Sequence, residues 1–117
     1  MKRVEAIIRP SNLDPVIGAL DQIGVTGLTI YDGRGMGDER PPEICYRGAS
    51  RPLKMIARVK LEIIVDEEIC DAVIGAIYQY AYTGEVGDGR ILVTTIDEVI
   101  RIRTGQCDPP RVDASTR

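Results

Sequence analysis

A glycine-rich segment that ends in an arginine is the part of this sequence best suited to bind an anion. The segment from Thr83 to Arg90 contains Gly87 and Gly89, and glycine lets backbone N–H groups approach an anion closely because it has no Cβ. Arg90 adds a planar guanidinium group that fits phosphate oxygens. The segment therefore predicts a phosphate-binding loop at residues 83–90. The alternative is a plain turn between a helix and a strand, since glycine marks turns far more often than ligand sites.

Two further arginines, Arg101 and Arg103, follow this loop in the sequence. Residues two apart in a strand point to the same face, so the spacing predicts that both guanidinium groups reach one spot beside the glycines. No Lys-Ser or Lys-Thr pair follows the glycines, and the segment is therefore not the P-loop of nucleotide triphosphatases. The glycines and the three arginines together favour phosphate binding of another kind.

Length and charge predict one compact domain that does not bind nucleic acid. A chain of 117 residues is long enough for one ordinary domain and too short for two. The formal net charge is −3, whereas nucleic-acid-binding domains are usually basic. A domain of this size buries a modest area, so we expect it to form oligomers.

The residue types also bear on location and chemistry. No apolar run is long enough to span a bilayer, and the residues after Met1 lack the apolar region of a signal peptide, which predicts a cytoplasmic protein. The three cysteines, Cys45, Cys70 and Cys107, are odd in number and widely spaced, which favours reduced thiols over disulfides or a zinc site. Histidine is absent, so the commonest general base is missing. We expect no catalysis, metal or cofactor.

The cysteines are predicted to differ in reactivity because thiol reactivity depends on exposure. Cys70 lies beside an apolar stripe and should be buried and inert. Cys45 and Cys107 lie among polar residues and turn formers and should react readily. The sequence leaves open whether Cys45 and Cys107 have a redox role.

Hydrophobic periodicity predicts a strand, helix, strand, strand, helix, strand order. The predicted strands cover residues 2–9, 27–34, 55–65 and 90–96, and the predicted helices lie between Asn12 and Ile23 and between Asp66 and Gly84. Residues 99–103 are expected to be a short extended piece. This order is the split βαβ arrangement of ferredoxin-like domains, an α+β fold, and the fold alone specifies no function.

Local signals at the helix ends support these boundaries. Ser11 or Asn12 is expected to cap the first helix, with Gly24 as its terminator, and Asp66 to cap the second. The apolar stripe of the second helix is predicted to comprise Ile69, Val73, Ala76, Ile77 and Tyr80.

Residues 36–54 lack a periodic apolar pattern and predict a long loop. Loops of this length within a compact domain are usually functional or mobile, and both are expected here; the alternative is a disordered insertion. In the tail, residues 104–117, Pro109 and Pro110 make continuation of a strand unfavourable.

Several motifs taken together resemble the PII signal-transduction proteins across nearly the whole chain. They are Ala6-Ile7-Ile8-Arg9-Pro10, Tyr46-Arg47-Gly48, the Thr83–Arg90 segment, and Ile100-Arg101-Ile102-Arg103-Thr104-Gly105. The resemblance implies a cytoplasmic homotrimer of ferredoxin-like subunits that binds adenine nucleotides in clefts between neighbours. It also implies signalling to a protein target, a membrane transporter being one kind, through the flexible loop 36–54.

The resemblance also implies the ligand-binding residues. The site for ADP, AMP or ATP would comprise Ile7, Thr29, Gly35, Met36, Gly37, Glu62, Ile64, Gly87, Asp88, Gly89, Arg90, Arg101 and Arg103. The sheet residues among them are equally consistent with plain sheet surface. A small anion, bicarbonate above all, would be held by Gly37, Arg58 and Gly87.

The chain departs from the usual PII pattern at the base of the loop. Asp38 and Glu39 stand where the family has Arg-Gln, and Glu39 would repel the second carboxylate of 2-oxoglutarate. Arg58 replaces a lysine that grips this ligand, and Arg51 replaces the tyrosine that many members uridylylate. These departures resemble the PII-like proteins associated with carboxysomes and bicarbonate uptake, and they predict a regulator of inorganic-carbon uptake or carboxysome function.

Three alternatives remain open from the sequence. The nearest is a nitrogen-regulatory PII protein that senses ATP or ADP together with 2-oxoglutarate. Another is a slow nucleotide hydrolase, in which Asp88 or Glu85 would orient the attacking water. The third is a trimeric scaffold with a vestigial nucleotide site.

Overall fold

The computed structural model of the chain describes residues 1–35 and 55–108. Its main elements are β1 (Lys2–Ile8), α1 (Leu13–Gln22), β2 (Thr29–Gly35), β3 (Ile56–Val65), α2 (Glu67–Ala81) and β4 (Arg90–Thr95). A 3₁₀ turn, Pro10–Asn12, precedes α1, and a small hairpin of β5 (Val99–Ile100) and β6 (Cys107–Asp108) follows β4. The predicted loop 36–54 and the last residues of the tail lie outside the described residues.

The four longer strands form one antiparallel sheet in the order β2-β3-β1-β4. Both helices contact each other, and α2 packs on β1, so the helices form a layer on one face of the sheet. The predicted α+β ferredoxin-like fold is confirmed. The prediction that residues 1–117 form a single domain stays a prediction.

Alternation along the strands builds the core. Val4, Ala6 and Ile8 of β1 are buried and lie opposite Ile63, Leu61 and Val59 of β3, respectively. The core also contains Val65 of β3 and six side chains from the helices, which are Val16, Leu20, Cys70, Val73, Ile77 and Ala81. Each large aliphatic side chain buried in this way stabilises the fold by about 1.5 to 3 kcal/mol.

Both helices begin at predicted N-cap residues, but the side chains of these residues do not make the capping hydrogen bond. Asn12 occupies the N-cap position of α1, but its side-chain amide donates to the Ala81 carbonyl at 3.3 Å and so ties the start of α1 to the end of α2. Asp66 precedes α2 in an extended conformation and makes no side-chain cap hydrogen bond. The predicted N-cap positions of Asn12 and Asp66 are therefore confirmed, whereas capping through their side chains was wrong. The helix α2 ends at Ala81, before Gly84, because Tyr82 already adopts an extended backbone with ψ of 128°.

The buried stripe of α2 is also rotated relative to the prediction. Val73 and Ile77 are fully buried, and helical spacing places Cys70 and Ala81 on the same face. Tyr80 lies on the flank of this stripe and is 44% exposed, so its assignment to the core was wrong. The predicted burial of Cys70 is confirmed. Cys107 is half-buried, with its thiol donating to the Glu98 carboxylate at 3.3 Å, and its reactivity stays a prediction.

The predicted extended piece at residues 99–103 is wrong beyond Ile100. Residues 102–104 form a turn, in which the Arg101 N–H donates to the Gln106 carbonyl at 2.8 Å and the Gly105 N–H donates to the Arg101 carbonyl at 2.7 Å. The strand β6, which was not predicted, then pairs with β5. Arg101 and Arg103 therefore do not share a strand face.

Within residues 1–35 and 55–108, neither helix combines the length and the apolar character that a bilayer span requires.

Replacement of Leu20 by alanine tests the core. Leu20 is fully buried in α1, so we expect Leu20→Ala to lower the free energy of unfolding by about 2 to 5 kcal/mol. The exposed Gln22 of the same helix provides the control, since Gln22→Ala should change it by no more than about 0.5 kcal/mol. Urea unfolding at one fixed protein concentration measures both, and similar losses for the two variants would contradict this core.

Candidate functional site

The face of the sheet that the helices leave open carries the predicted nucleotide-binding residues that belong to strands β1, β2 and β3. Strand register places Thr29 opposite Glu62, and Glu62 opposite Glu5. Ile7 lies opposite Arg90 and Lys60 in the next row. Ile64 is two residues from Glu62 in β3, and Gly35 is six residues from Thr29 in β2, so both point to the same face of the sheet as these residues. The predicted sheet residues Ile7, Thr29, Gly35, Glu62 and Ile64 thus share one face.

Charged side chains dominate the centre of this open face. The Glu5 carboxylate lies 3.4 Å from Lys60 Nζ and 3.9 Å from Arg3 Nη2. Lys60 Nζ also lies 4.7 Å above the centre of the Tyr31 ring. Glu62 makes no hydrogen bond or ion pair within the part of the chain that the structure describes.

The glycine loop packs against the end of β1. Gly84, Gly87 and Gly89 all have positive φ, of 86°, 100° and 100°, a conformation that other residues rarely adopt. A Cβ on Gly89 would lie 1.7 Å from the Ile7 carbonyl oxygen. Glycine is therefore required at position 89 for the loop to approach β1 this closely.

Asp88 closes the loop on itself. Its carboxylate accepts hydrogen bonds from the Thr83 N–H at 2.8 Å, the Gly84 N–H at 2.9 Å and the Thr83 hydroxyl, and it pairs with Arg9 Nε at 3.2 Å. The Thr83 hydroxyl, the Thr83 and Gly84 N–H groups and the Arg9 guanidinium hold the pKa of Asp88 well below its ordinary range, because each stabilises the charged form. Contact of Asp88 with a nucleotide stays a prediction.

Two guanidinium groups flank Gly87. Arg9 Nη2 donates to the Val86 carbonyl at 2.9 Å, and Arg58 Nη1 donates to the Ala57 carbonyl at 2.9 Å. A Cβ on Gly87 would lie 3.1 Å from Arg58 Nη2 and 3.5 Å from Arg9 Nη2. The structure thus brings Arg58 and Gly87 together, as the anion-site prediction requires, while the third predicted residue, Gly37, lies outside the described residues together with Met36.

Sequence reasoning missed Arg9. The sequence offered one signal for it. Arg9 follows an alternating strand and lies two residues beyond Ile7, so both side chains are expected on the open side of the sheet. Nothing in the sequence indicated that its guanidinium would reach the loop about 80 residues later, a contact that only tertiary structure creates.

Among the described residues, Arg90 lies at the glycine loop, whereas the other two arginines that were predicted to converge with it lie in a different element. Arg90 begins β4 at the loop, whereas Arg101 and Arg103 lie exposed in the β5–β6 hairpin. No hydrogen bond or ion pair between described residues links Arg101 or Arg103 to the glycine loop. The described residues of one chain therefore do not form the predicted cluster of three arginines.

A cleft of about 270 Å³ opens between the end of α2 and the start of β4. It is lined mainly by apolar side chains such as Ile77 and Ile91, with Asp88 and Arg90 among its lining residues. The rings of Tyr78 and Tyr82 stack with their centres 5.5 Å apart. Among residues 1–35 and 55–108, no cluster of three or more acidic or thiol side chains is arranged to hold a metal ion.

Comparison with known proteins decides the family. A family model described as "Nitrogen regulatory protein P-II" matches residues 1–106. The chain belongs to the P-II family. The P-II protein of Azospirillum brasilense is 42% identical to it over 106 residues, covering 91% of this chain and 95% of the relative.

Two further relatives give the same result over a slightly longer alignment. The "Nitrogen regulatory protein P-II" of Synechocystis sp. is 44% identical over 108 residues, and the "Nitrogen regulatory protein P-II 1" of Escherichia coli is 42% identical over 108 residues. Each alignment covers 92% of this chain and 96% of the relative. The predicted resemblance to PII signal-transduction proteins is confirmed, and the chain is a regulatory protein of this family. The finer assignment to the carboxysome-associated branch is not supported by these names, which all refer to nitrogen regulation.

The packing of the P-II glycine loop against β1 is tested by a pair of glycine substitutions. Gly89 and Gly105 both have positive φ, but a Cβ on Gly105 would meet no atom within 4 Å. We expect Gly105→Ala to cost about 1 to 2 kcal/mol of stability from the backbone conformation alone. Gly89→Ala should cost roughly 1 to 3 kcal/mol more because of the clash with Ile7. Urea unfolding of both variants measures the difference, and equal losses would argue against this close approach.

The low pKa of Asp88 predicts a pH dependence of stability. A carboxylate whose pKa is lowered by folding stabilises the folded state above its unfolded pKa of about 3.9, and this contribution is lost as the pH falls toward the folded pKa. The difference in unfolding free energy between the natural chain and Asp88→Asn should therefore shrink as the pH falls below about 4. Asp71→Asn, which removes an exposed carboxylate of α2, is the control for the loss of one negative charge. A difference that stays constant down to roughly pH 2 would contradict the role of the Asp88 charge.

Proposed function

We propose that this chain is a cytoplasmic nitrogen-regulatory protein that binds ADP or ATP where the open sheet face meets the glycine loop. The observation that carries the proposal is the position of that loop. Its positive-φ glycines and Arg90 lie at the end of the sheet face that presents Ile7 and Glu62. Backbone N–H groups and a guanidinium suit phosphates, whereas an apolar side chain and a carboxylate suit a base and a ribose hydroxyl.

A homotrimer would complete this site. Arg101 and Arg103 are exposed, and no hydrogen bond or ion pair among the described residues links either of them to the loop of the same chain, which supports their supply from a neighbouring subunit. The open sheet face also carries exposed apolar side chains, among them Ile64 at 40% and Leu92 at 43% exposure, which another subunit would cover. In this arrangement each nucleotide lies between two subunits. The loop 36–54 would then report nucleotide binding to a protein target.

The second ligand, which would bind together with the nucleotide, is either 2-oxoglutarate or bicarbonate. The names of the relatives favour nitrogen regulation, and thus 2-oxoglutarate, over the inorganic-carbon function. One structural observation supports a small anion site: Arg58 Nη2 lies beside Gly87, where it can meet a compact anion such as bicarbonate. The residues Asp38 and Glu39 in the sequence add negative charge that opposes a dicarboxylate. Bicarbonate is therefore the second candidate.

The hydrolase alternative is weakened at Asp88. Its carboxylate already accepts hydrogen bonds from Thr83, Gly84 and Arg9, so little of its acceptor capacity remains for an attacking water. Glu85 is exposed and remains the other residue that was considered for this role. Turnover of labelled ATP by the purified protein tests this alternative.

Removal of one hairpin arginine should weaken nucleotide binding. We expect Arg103→Ala, and likewise Arg101→Ala, to reduce ADP affinity by about 1.5 to 3 kcal/mol through the loss of charge-assisted hydrogen bonds. Lys2→Ala is the matched control, because Lys2 carries the same charge at the opposite end of β1 and binds Thr95. Calorimetric titration measures affinity, and sedimentation checks that the oligomer is intact. Natural affinity in both arginine variants would remove these residues from the site.

Titration of ADP and ATP with each candidate effector decides between the two functions. We expect 2-oxoglutarate to tighten nucleotide binding if the chain senses nitrogen status, and bicarbonate to do so if it senses inorganic carbon, by coupling of the order of 1 to 3 kcal/mol. In either case Arg58→Ala should remove most of this coupling, because Arg58 lies beside Gly87. Lys2→Ala again controls for charge. The absence of coupling with both effectors at fixed pH and ionic strength would contradict the proposed second site.

A further inference from the structure

Arg9 contacts the glycine loop on both sides of Gly87. Its Nε pairs with Asp88 Oδ1 at 3.2 Å, and its Nη2 donates to the Val86 carbonyl at 2.9 Å. Both side chains of the ion pair are partly buried, with 28% of Arg9 and 22% of Asp88 exposed. One rigid guanidinium thus bridges the residues that precede and follow Gly87.

Asp88 connects this bridge to the start of the loop. Its carboxylate accepts the N–H groups of Thr83 and Gly84, at 2.8 and 2.9 Å, so the first and last parts of the loop are held together. The Gly89 backbone packs against the carbonyl of Ile7 near the end of β1. Asp88 therefore closes the loop, and Arg9, the residue that follows β1, attaches the loop to the end of this strand.

Arg58 differs from Arg9 in this respect. Its Nη1 donates to the neighbouring Ala57 carbonyl and not to the loop, although its Nη2 also lies near Gly87. Arg58 therefore leaves the shape of the loop unconstrained and is placed to meet an incoming anion. Arg9 has two of its donor atoms committed to the loop.

We propose that Arg9 and Asp88 are positioning residues for the nucleotide phosphates. They hold the loop N–H groups in place before the nucleotide arrives, so that binding does not have to order the loop. This inference rests on the proposed function, in which the loop binds the phosphates. A lysine at position 9 would keep the charge but would lack the planar fork that contacts Asp88 and Val86 together.

The affinity ratio of ADP to adenosine tests this role. Adenosine lacks phosphates, so a change confined to the loop lowers the ADP affinity more than the adenosine affinity, whereas general damage to the fold lowers both together. We expect the ratio to fall about tenfold in Arg9→Lys and in Asp88→Asn, the scale of one lost hydrogen bond to a charged group. In the double variant the ratio should fall little further, because either single substitution already disrupts the contact between Arg9 and Asp88.

Arg3→Lys and Asp71→Asn are the matched controls and should keep the natural ratio. Arg3 lies at the other end of β1, where its ion-pair partner is Glu5, and Asp71 is exposed on α2. Natural ratios in Arg9→Lys and Asp88→Asn, with ADP still bound by the natural chain, would overturn this inference alone. Failure of the natural chain to bind ADP would overturn the proposed function and this inference with it. If Asp88→Asn does not fold, the ratio in Arg9→Lys decides the outcome.

Discussion

The close approach of the glycine loop to the end of β1 is the constraint on which the candidate site depends. At Gly89 there is no room for a side chain, because the Ile7 carbonyl oxygen would lie 1.7 Å from a Cβ. This contact places the loop beside the open sheet face and brings Asp88 within reach of Arg9. Without it, the glycines and the sheet residues would be two separate features of the surface.

The two faces of the sheet have different compositions and different roles. One face is apolar and is covered by α1 and α2, which stabilises the fold. The other face carries the ion pairs of Glu5 with Arg3 and Lys60, together with exposed apolar residues such as Leu92. A strand face that mixes charge with exposed apolar area suits both a ligand and a second subunit.

Family membership and the proposed ligand specificity rest on different observations. Membership rests on similarity, over most of the chain, to proteins named for nitrogen regulation. In the proposed function, specificity for the second effector would depend instead on Arg58, which lies by Gly87, and on Asp38 and Glu39 in the sequence. Because one charge reversal changes which anion a site accepts, relatives more than 40% identical define the class of regulator more firmly than its effector.

The sequence by itself determined the order of strands and helices, the buried face of β1 and the glycine loop, because alternation and backbone freedom are local properties. Only the tertiary structure decided that Arg9 holds this loop through Asp88, since that contact joins residues 79 positions apart. It also overturned the shared strand face of Arg101 and Arg103, because a turn with its own hydrogen bonds interrupts the extended chain there. Contacts between distant residues depend on how elements pack, and periodicity carries no information about them.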